Sequence, residues 1–446
     1  MKALPMTRLP LVPLMLIAMP LAAPAQAPSA RLAQEVDRRT AQVLPRVVGW
    51  RRDIHEHPEL SNREVRTAKL VADHLTSLGL DVKTGVAHTG VVGVLRGGKP
   101  GPVVALRADM DALPVVEQVD LPFKSTVKAE YNGQQVGVMH ACGHDNHVAI
   151  LMGVASVLAG MKAEIPGTVK FIFQPAEEGA PAGEEGGAGL MIREGVLADP
   201  APGAIFGLHV WPDTVGTISY KPGPFMAAAD GLHIVIRGRQ THGALPWGGV
   251  DPIVVAAQVV LGLQTIASRQ IDLTRVPAII TVGSIHGGNR GNIIPDSVVL
   301  EGTVRTFDET MRADIKERIR RTAASIAQSA GATATVDFGA GGGPVTFNDP
   351  ALTEQMLPTL RRAAGAGHVH LSGLQTPSED FSLYQQKVPG MFFYLGIVPN
   401  GKDPATAPRN HSPLFFADEA ALPVGVRTLA SLALDWLSMN SGKPAR

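Results

Sequence analysis

The chain of 446 residues contains a single cysteine, Cys142, so no disulfide can form within it. It also lacks net charge, because 40 lysines and arginines balance 40 aspartates and glutamates. This balance argues against nucleic acid, anionic lipid or another polyanion as a partner. The composition, with 45% hydrophobic and 18% charged residues, is that of a globular protein.

The first 27 residues carry the features of an export signal. Lys2 and Arg8 precede an apolar stretch, and the small-x-small sequence Ala25-Gln26-Ala27 closes it. An uncleaved membrane anchor is the alternative reading, but prolines interrupt a run barely long enough to span a bilayer. We therefore expect residues 1–27 to be a signal peptide and the mature protein to be exported, periplasmic or secreted, and free of the membrane.

The mature chain alternates strand and helix patterns. Residues 102–109, 167–173 and 203–210 are predicted as buried strands, each with polar residues at or just past its end. Ligand sites in open α/β sheets form at the carboxyl ends of such strands. A helix is predicted from Asp145, which would cap it, so that Cys142 and His144 lie at a helix entrance where a thiolate is favoured.

Residues 226–338 follow a different order, strand-helix-strand-strand-helix-strand, which is a split βαβ unit of self-contained size. A glycine-rich segment, 339–344, follows as a hinge or return linker. The predicted architecture is an α/β domain made of residues 28–225 and 339–446, with a smaller domain, 226–338, inserted in it.

Thiol, imidazole and carboxylate side chains recur near the predicted strand ends and in a loop near the C-terminus. They are Cys142, His144, Glu177, Glu178, His209 and His411. Each alone is weak evidence, since a free cysteine is commonly a small buried hydrophobe, a lone histidine a core residue and a glutamate pair a solvated loop. All of these ordinary readings must hold at once, however, which is less probable than one shared site.

These donor groups are the ligands of zinc and its first-row neighbours. They exceed what one tetrahedral ion takes, so two adjacent ions fit better. One of the adjacent glutamates can then bind metal while the other handles a proton. The chemistry predicted is hydrolysis, in which water of lowered pKa attacks a polarised carbonyl and a carboxylate passes the proton to the leaving amine.

A set of separated motifs, in order over nearly the whole mature chain, resembles one family. The motifs are RRDIHEHPELSNRE (51–64), RADMDALP (107–114), HACGHDNH (140–147), QPAEEG (174–179), GLHVWP (207–212), THGALP (241–246), NIIPD (292–296), SEDFS (378–382) and NHSP (410–413). They are similar to the amidohydrolase branch of the aminoacylase and carboxypeptidase metallopeptidases, which includes hippurate hydrolases, auxin-conjugate hydrolases and bacterial carboxypeptidases.

The resemblance implies a zinc-peptidase-like catalytic domain with a mixed sheet and helices on both faces. It also implies an inserted ferredoxin-like lid through which the protein forms a homodimer. The implied ligands of two divalent ions (Zn, Mn, Co or Ni) are Cys142, His144, Glu178, His209 and His411. Glu177 would be the general base and acid, and His242 would reach the partner subunit's site as oxyanion donor. Asn292 would lie near the substrate carboxylate or oxyanion, and Asp109 would orient a metal ligand.

The chain departs from the family pattern at Trp247, where many relatives carry histidine. The roles of Glu379 and Asp380 do not follow from the motif, and His140 and His147 are predicted to be supporting residues. The expected activity is hydrolysis of an N-acyl amino acid, with a carboxypeptidase or dipeptidase as the alternative. A non-catalytic metal-binding or solute-binding protein is the rival from another class, but it would have no use for Glu177 beside Glu178.

Overall fold

The computed structural model describes residues 30–339 and 342–442. The predicted signal peptide, 1–27, and residues 340–341 of the predicted linker lie outside the described residues. The α-helices are α1 (Ala30–Glu56), α2 (Val65–Ser77), α3 (His144–Ala159), α4 (Gly187–Arg193), α5 (Pro252–Thr265), α6 (Glu309–Ser329), α7 (Pro350–Ala364), α8 (Phe381–Gln385) and α9 (Leu422–Asn440).

The strands fall into one large sheet and several smaller ones. They are β1 (Asp81–Val86), β2 (Gly90–Arg96), β3 (Lys99–Asp109), β4 (Lys128–Tyr131), β5 (Gln134–Gly137), β6 (Pro166–Gln174), β7 (Ala204–Thr214), β8 (Ile218–Tyr220), β9 (Gly223–Met226), β10 (Ala228–Arg237), β11 (Thr241–His242), β12 (Ala278–His286), β13 (Ile293–Ile294), β14 (Ser297–Thr306), β15 (Thr333–Asp337), β16 (Thr346–Asn348), β17 (Val369–Leu371) and β18 (Gly390–Val398).

The large sheet is mixed, as expected, with the order β1-β2-β6-β3-β7-β18-β8-β17. Its central strands β6, β3, β7 and β18 run parallel. Both faces are covered. On β3, Val104 and Leu106 pack in the core with α1, α3 and α9, whereas Ala105 packs on the other face near α4 and α8. Burial on both faces explains why these strands are continuous apolar runs in the sequence.

The segment from β10 to β15 forms a separate antiparallel sheet with the order β12-β14-β10-β15. Helices α5 and α6 cover one side of it, and their apolar residues share a core with the sheet. Ile315, Ile319 and Ala323 of α6 are buried in this core, as the helical spacing predicts. The strand-helix-strand-strand-helix-strand order predicted for this part of the chain is therefore present.

By length and composition alone, residues 252–270 and 419–440 could each span a bilayer. The second segment is mostly buried inside the protein, as a core helix is. The first, which contains α5, leaves large apolar side chains in contact with solvent, among them Leu261, which is 71% exposed.

The prediction that Asp145 caps α3 is wrong. The cap position is Gly143, with φ of +90° and no side-chain cap. Asp145 is instead fully buried and lies 2.9 Å from both Arg51 Nε and His55 Nδ1. A buried carboxylate is stabilised far more by these two partners than by the first turn of a helix.

Candidate active site

The candidate ligands come together at the carboxyl edge of the parallel strands. Cys142 and His144 flank Gly143, the N-cap of α3, the glutamate pair follows β6, and His411 lies in the loop after β18. His209 lies within β7, which extends to Thr214 rather than ending at 210. Gly143 permits this meeting, because a Cβ at that position would lie 2.4 Å from Val210 Cγ2 of β7.

The distances join all five residues in one cluster. Cys142 Sγ is 3.3 Å from His209 Nε2, and Glu178 Oε1 is 3.0 Å from His411 Nε2 and 4.0 Å from His144 Nε2. Ligand atoms of Cys142, His144 and His209 lie within 4.8 Å of one another, as do those of Cys142, Glu178 and His411. The structure thus offers two overlapping sets of three donors that share Cys142.

Hydrogen bonds leave one ring nitrogen available on each of the two buried histidines. His144 Nδ1 donates to the carbonyl oxygen of Asp111 at 2.8 Å, and its buried Nε2 has no hydrogen-bond partner. His209 Nδ1 donates to the carbonyl oxygen of Val210 at 2.7 Å, so its Nε2 faces Cys142. Such second contacts fix the tautomer and the ring orientation that a metal ligand needs.

Asp111 is the residue that organises the site, although nothing in the sequence pattern distinguishes it as such. Its carboxylate accepts the backbone N–H groups of Glu177 and Glu178, each at 3.0 Å, and the hydroxyl of Ser61 at 2.8 Å. Its own carbonyl orients His144. The RADMDALP motif holds both acidic residues, but its letters do not show which one reaches the glutamates.

Asp109 bonds to a different histidine from the ones proposed as ligands. Its carboxylate accepts a hydrogen bond from His147 Nδ1, at 2.5 Å, and lies 3.8 Å from His144 Nε2. His147 Nε2 in turn accepts the backbone N–H of Val210 at 2.8 Å. Both ring nitrogens of His147 are therefore occupied, and the Asp109–His147 pair supports β7 beside His209 rather than presenting a metal ligand.

The charges of the cluster favour a bound cation. Burial by itself lowers the pKa of His144, but the carboxylates of Asp109 and Asp111 outweigh it and raise that pKa to about 10. Burial and the neighbouring Glu178 and Glu177 raise the pKa of the Cys142 thiol, so the expected thiolate at a helix entrance does not form unaided. A divalent ion would supply the missing positive charge and would deprotonate the thiol on binding. The donor set fits zinc-type metals.

Glu177 is held in acidic surroundings next to the cluster. Burial, followed by repulsion from Glu379 and Glu178, raises the pKa of Glu177 well above its usual range. Its Oε1 accepts the backbone N–H of Asp380 at 3.3 Å. This carboxylate is therefore suited to hold a proton beside the candidate ligands.

The SEDFS motif acquires a structural role through Arg107. The buried guanidinium of Arg107 pairs with Asp109 at 2.6 Å and with Glu379 and Asp380 at 2.9 Å each. Burial raises the pKa of Glu379 to about 7, although Arg107 opposes this effect. The loop that donates to Glu177 is thus tied to β3 by a buried ion-pair network, which explains the acidic pair that the motif alone leaves without a role.

A cavity of about 950 Å³ opens over the cluster and reaches the smaller sheet. Cys142, Glu177 and His411 line it on one side, and residues of β12 and β14 line it on the other. Among the latter, Arg305 is half-buried and donates to Ser378 Oγ at 3.1 Å; within the described part of the chain it forms no salt bridge. Arg305 is a second site residue that cannot be predicted from the sequence pattern, because an arginine on a strand carries no signal of its own.

His242 and Asn292 do not line this cavity in the described chain. His242 lies on β11, where it pairs with Ile293 of β13, and Asn292 immediately precedes β13 and accepts the N–H of Gly243 through its carbonyl oxygen at 2.8 Å. Both side chains are exposed. Trp247, the residue that departs from the family pattern, is 79% exposed on the following turn.

Comparison with known proteins assigns the chain to a protein family. The model of "Peptidase family M20/M25/M40" matches residues 105–435, a span that contains the whole ligand cluster. The chain belongs to this family. The resemblance drawn from the motifs is therefore confirmed, and the protein is a hydrolase of the peptidase and amidohydrolase type.

Individual relatives match this chain over nearly its full length and over nearly their own. The chain is 41% identical to thermostable carboxypeptidase 2 of Saccharolobus solfataricus over 90% of this chain and 98% of that protein. It is also 41% identical to N-acetylcysteine deacetylase of Bacillus subtilis, over 87% of this chain and 96% of that protein. Among solved structures, the Bacillus subtilis YXEP protein, described as a dinuclear metal binding peptidase of family M20, matches with a TM-score of 0.73. It is 38% identical and covers 89% of this chain and 99% of its own.

Proposed function

We propose that this M20-family hydrolase is a metal-dependent amidohydrolase that cleaves the amide bond of N-acyl amino acids, of which benzoyl-glycine is the type. The observation that carries the proposal is the position of Glu177. Ligand atoms of Glu177, Glu178 and His144 lie within 4.8 Å of one another, and the two glutamates line the cavity that Arg305 also lines. A proton-handling carboxylate, a metal site and a cation for a carboxylate substrate are thus found together.

The residues that would hold two divalent ions are Cys142, His144, Glu178, His209 and His411. The dinuclear character described for the YXEP structure supports two ions rather than one. When bound, the ions supply polarisation of the scissile carbonyl and activation of the attacking water. This ligand set suits zinc, manganese, cobalt or nickel, and availability decides among them.

The protein's own groups perform the remaining steps. Glu177, with its raised pKa, takes a proton from the attacking water and delivers it to the leaving amine. Asp111 and the N–H of Asp380 hold Glu177 in place for both transfers. Arg305 binds the carboxylate of the substrate, because its half-buried guanidinium lines the cavity and an anion would offset its desolvation.

The proposal includes a ferredoxin-like lid, residues 226–338, through which two chains form a homodimer. The proposed homodimer is supported by an apolar face of α5, on which Ile253, Val254 and Leu261 are 48%, 54% and 71% exposed. Strand β12 also lies at the edge of its sheet, where a second strand could pair. In such a dimer His242 would donate to the oxyanion in the partner's site and Asn292 would contact the substrate.

We further propose that the protein is exported to the periplasm or secreted, with residues 1–27 as the cleaved signal. The charged start, apolar stretch and Ala25-Gln26-Ala27 ending support this. N-terminal sequencing of the protein recovered from the periplasmic fraction tests it. A mature chain that begins after Ala27 is the expected result.

A carboxypeptidase or dipeptidase acting on small peptides is the second candidate. The name of the Saccharolobus relative favours it, whereas the name of the Bacillus deacetylase favours an N-acyl substrate. Both activities would use the same cluster and differ in the group on the carbonyl side of the amide. A protein that only binds metal or solute would require the ligands but not Glu177.

A substrate panel on protein loaded separately with zinc, manganese, cobalt or nickel tests the proposal. It includes benzoyl-glycine, acetyl amino acids and dipeptides, and we expect the N-acyl amino acids to give the higher kcat/KM. Glu177→Gln should retain its metal and lose about a hundredfold or more in kcat. Glu185→Gln, the same change on an exposed carboxylate, is the matched control. Full activity of Glu177→Gln would show that the assigned mechanism is wrong.

A further inference from the structure

A second cavity of about 510 Å³ adjoins the active-site cavity. The two share Glu178 and Gly179 among their lining residues. Glu178 is one of the candidate ligands, so the second cavity begins at the reaction centre. Nothing in the proposed mechanism uses this space.

The two cavities differ in the cations that they offer to a substrate. The active-site cavity is lined by Arg305 and Arg409, in addition to the carboxylates of Glu177, Glu178 and Glu379. The cation that lines the second cavity, Arg63, is already paired with Glu184 at 2.6 Å. Glu130 adds a further negative charge to the second cavity. A substrate with a free carboxylate would therefore place that end towards Arg305 and its uncharged end in the second cavity.

Apolar side chains form one wall of the second cavity. Leu60, Ala112, Leu113 and Pro114 line it, and Leu60 and Ala112 are packed in a small buried cluster. The β4–β5 hairpin closes another side with Tyr131, which is 41% exposed. A volume of this size lies within the range of pockets for drug-sized ligands, about 300–1,000 Å³. It is far larger than an acetyl group needs.

The wall is connected to the catalytic residues through the backbone. Ala112 and Leu113 follow directly on Asp111, whose carboxylate holds Glu177, Glu178 and the side chain of Ser61. Ser61 itself lines the cavity. A group seated against this wall would therefore be positioned relative to the two glutamates.

We propose that the second cavity is the acyl-group site and that it selects aromatic or medium-chain acyl groups over acetyl. The inference rests on the proposed function, because it assigns the two ends of an N-acyl amino acid to the two cavities. Apolar burial against residues 112–114 supplies the preference, and Arg305 and Arg409 of the other cavity set the orientation.

Filling the cavity tests the assignment. Ala182 lines the cavity from an exposed loop, so a larger side chain there leaves the core intact. We expect Ala182→Trp to lower the ratio of kcat/KM for benzoyl-glycine to that for acetyl-glycine about tenfold. Ala201→Trp, the same change at an exposed position that lines neither cavity, is the matched control and should keep the wild-type ratio.

Enlarging the cavity provides the opposite test. Leu113→Ala should raise the ratio of kcat/KM for dodecanoyl-glycine to that for benzoyl-glycine at least threefold. The reason is that removal of the leucine side chain enlarges the second cavity, so that a longer acyl chain fits. Wild-type ratios in both Ala182→Trp and Leu113→Ala would overturn the acyl-site assignment while leaving the proposed function in place. Failure of the wild-type, metal-loaded enzyme to cleave any N-acyl amino acid would instead overturn the proposed function.

Discussion

Asp111 Oδ1 accepts the backbone N–H of Glu177 at 3.0 Å, and Asp111 Oδ2 accepts that of Glu178 at the same distance. One carboxylate therefore sets the turn from which both glutamates project. Ala176, immediately before them, has φ of +51°, a conformation that L-residues rarely adopt without support. Its N–H donates to Glu64 Oε1 at 2.9 Å. The geometry of the proposed base depends on these buried acceptors.

Replacement of Asp111 by asparagine should weaken both metal binding and turnover. The amide can accept from one N–H only and points its NH2 group at the other, so the glutamate turn loses one support. We expect a 10-fold to 100-fold loss in metal affinity or kcat, measured by chelator competition and by turnover at saturating metal. Ser61→Ala removes only the third partner of Asp111 and should have a smaller effect. Wild-type metal affinity and kcat in Asp111→Asn would contradict the role assigned to this residue.

Loss of the Cys142 thiol should reduce the number of metal ions retained. Cys142 belongs to both three-donor sets, so its removal leaves each with two protein ligands. We expect Cys142→Ala to retain fewer than the two ions proposed for the wild type after dialysis, as measured by atomic emission. Cys142→Ser, which replaces the sulfur donor with an oxygen donor, should retain an amount of metal between those of wild type and Cys142→Ala. Equal, tight binding of two ions by Cys142→Ala would contradict the ligand assignment.

Arg305 should be required for substrates that carry a free carboxylate. We expect Arg305→Met to lower kcat/KM for benzoyl-glycine at least tenfold, because a partly buried ion pair with the substrate is lost. The effect should be small on the corresponding amide, benzoyl-glycinamide, which has no carboxylate. Arg409→Met removes the other cation of the same cavity and serves as the comparison. An equal loss on the acid and the amide would show that Arg305 acts through structure rather than through charge.

A buried histidine that is not one of the candidate ligands should make stability depend on pH. His74 contacts the carbonyl oxygen of Met152 and Ser156 Oγ through Nε2, and burial lowers its pKa from 6.5 to about 4. Below pH 6.5 the unfolded state binds a proton that the folded state does not, so stability falls as the pH drops towards 4. Between pH 7 and pH 5 this costs about 2 kcal/mol.

The pH effect is measured by urea unfolding of wild type and His74→Gln in the presence of a chelator, which removes metal-linked titration. Glutamine keeps an N–H for Met152 but does not titrate. The wild-type free energy of unfolding, relative to that of His74→Gln, should be about 2 kcal/mol lower at pH 5 than at pH 7. The same difference at both pH values would contradict the assigned pKa.

Much of the fold could be read from periodicity and turn residues. The strands around 102–109 and 167–173 and the strand-helix order of the smaller sheet appear where predicted. The predicted end of β7, at residue 210, and the predicted cap of α3, Asp145, were wrong. In both cases a tertiary partner overrides the local signal: β18 pairs with β7 as far as Thr214, and Arg51 and His55 withdraw Asp145 from the cap.

For the site, the residue types that carry the chemistry were visible in the sequence, because thiol, imidazole and carboxylate are rare together at strand ends. Their supporting partners were not. Arg305 reaches the cavity only because the smaller sheet lies over the larger one, and Glu379 and Asp380 matter through Arg107, more than 270 residues earlier in the chain.

The amino-acid sequence by itself determined the chemistry available to this protein and the local elements that carry it, since both depend on residue type and on near neighbours. The tertiary structure decided which hydrogen-bond partners each of two chemically identical groups acquires. Asp111 rather than Asp109 holds the glutamates, and His144 rather than His147 keeps a free nitrogen. The reason is that hydrogen-bond partners distant in sequence occupy one member of each pair and leave the other available.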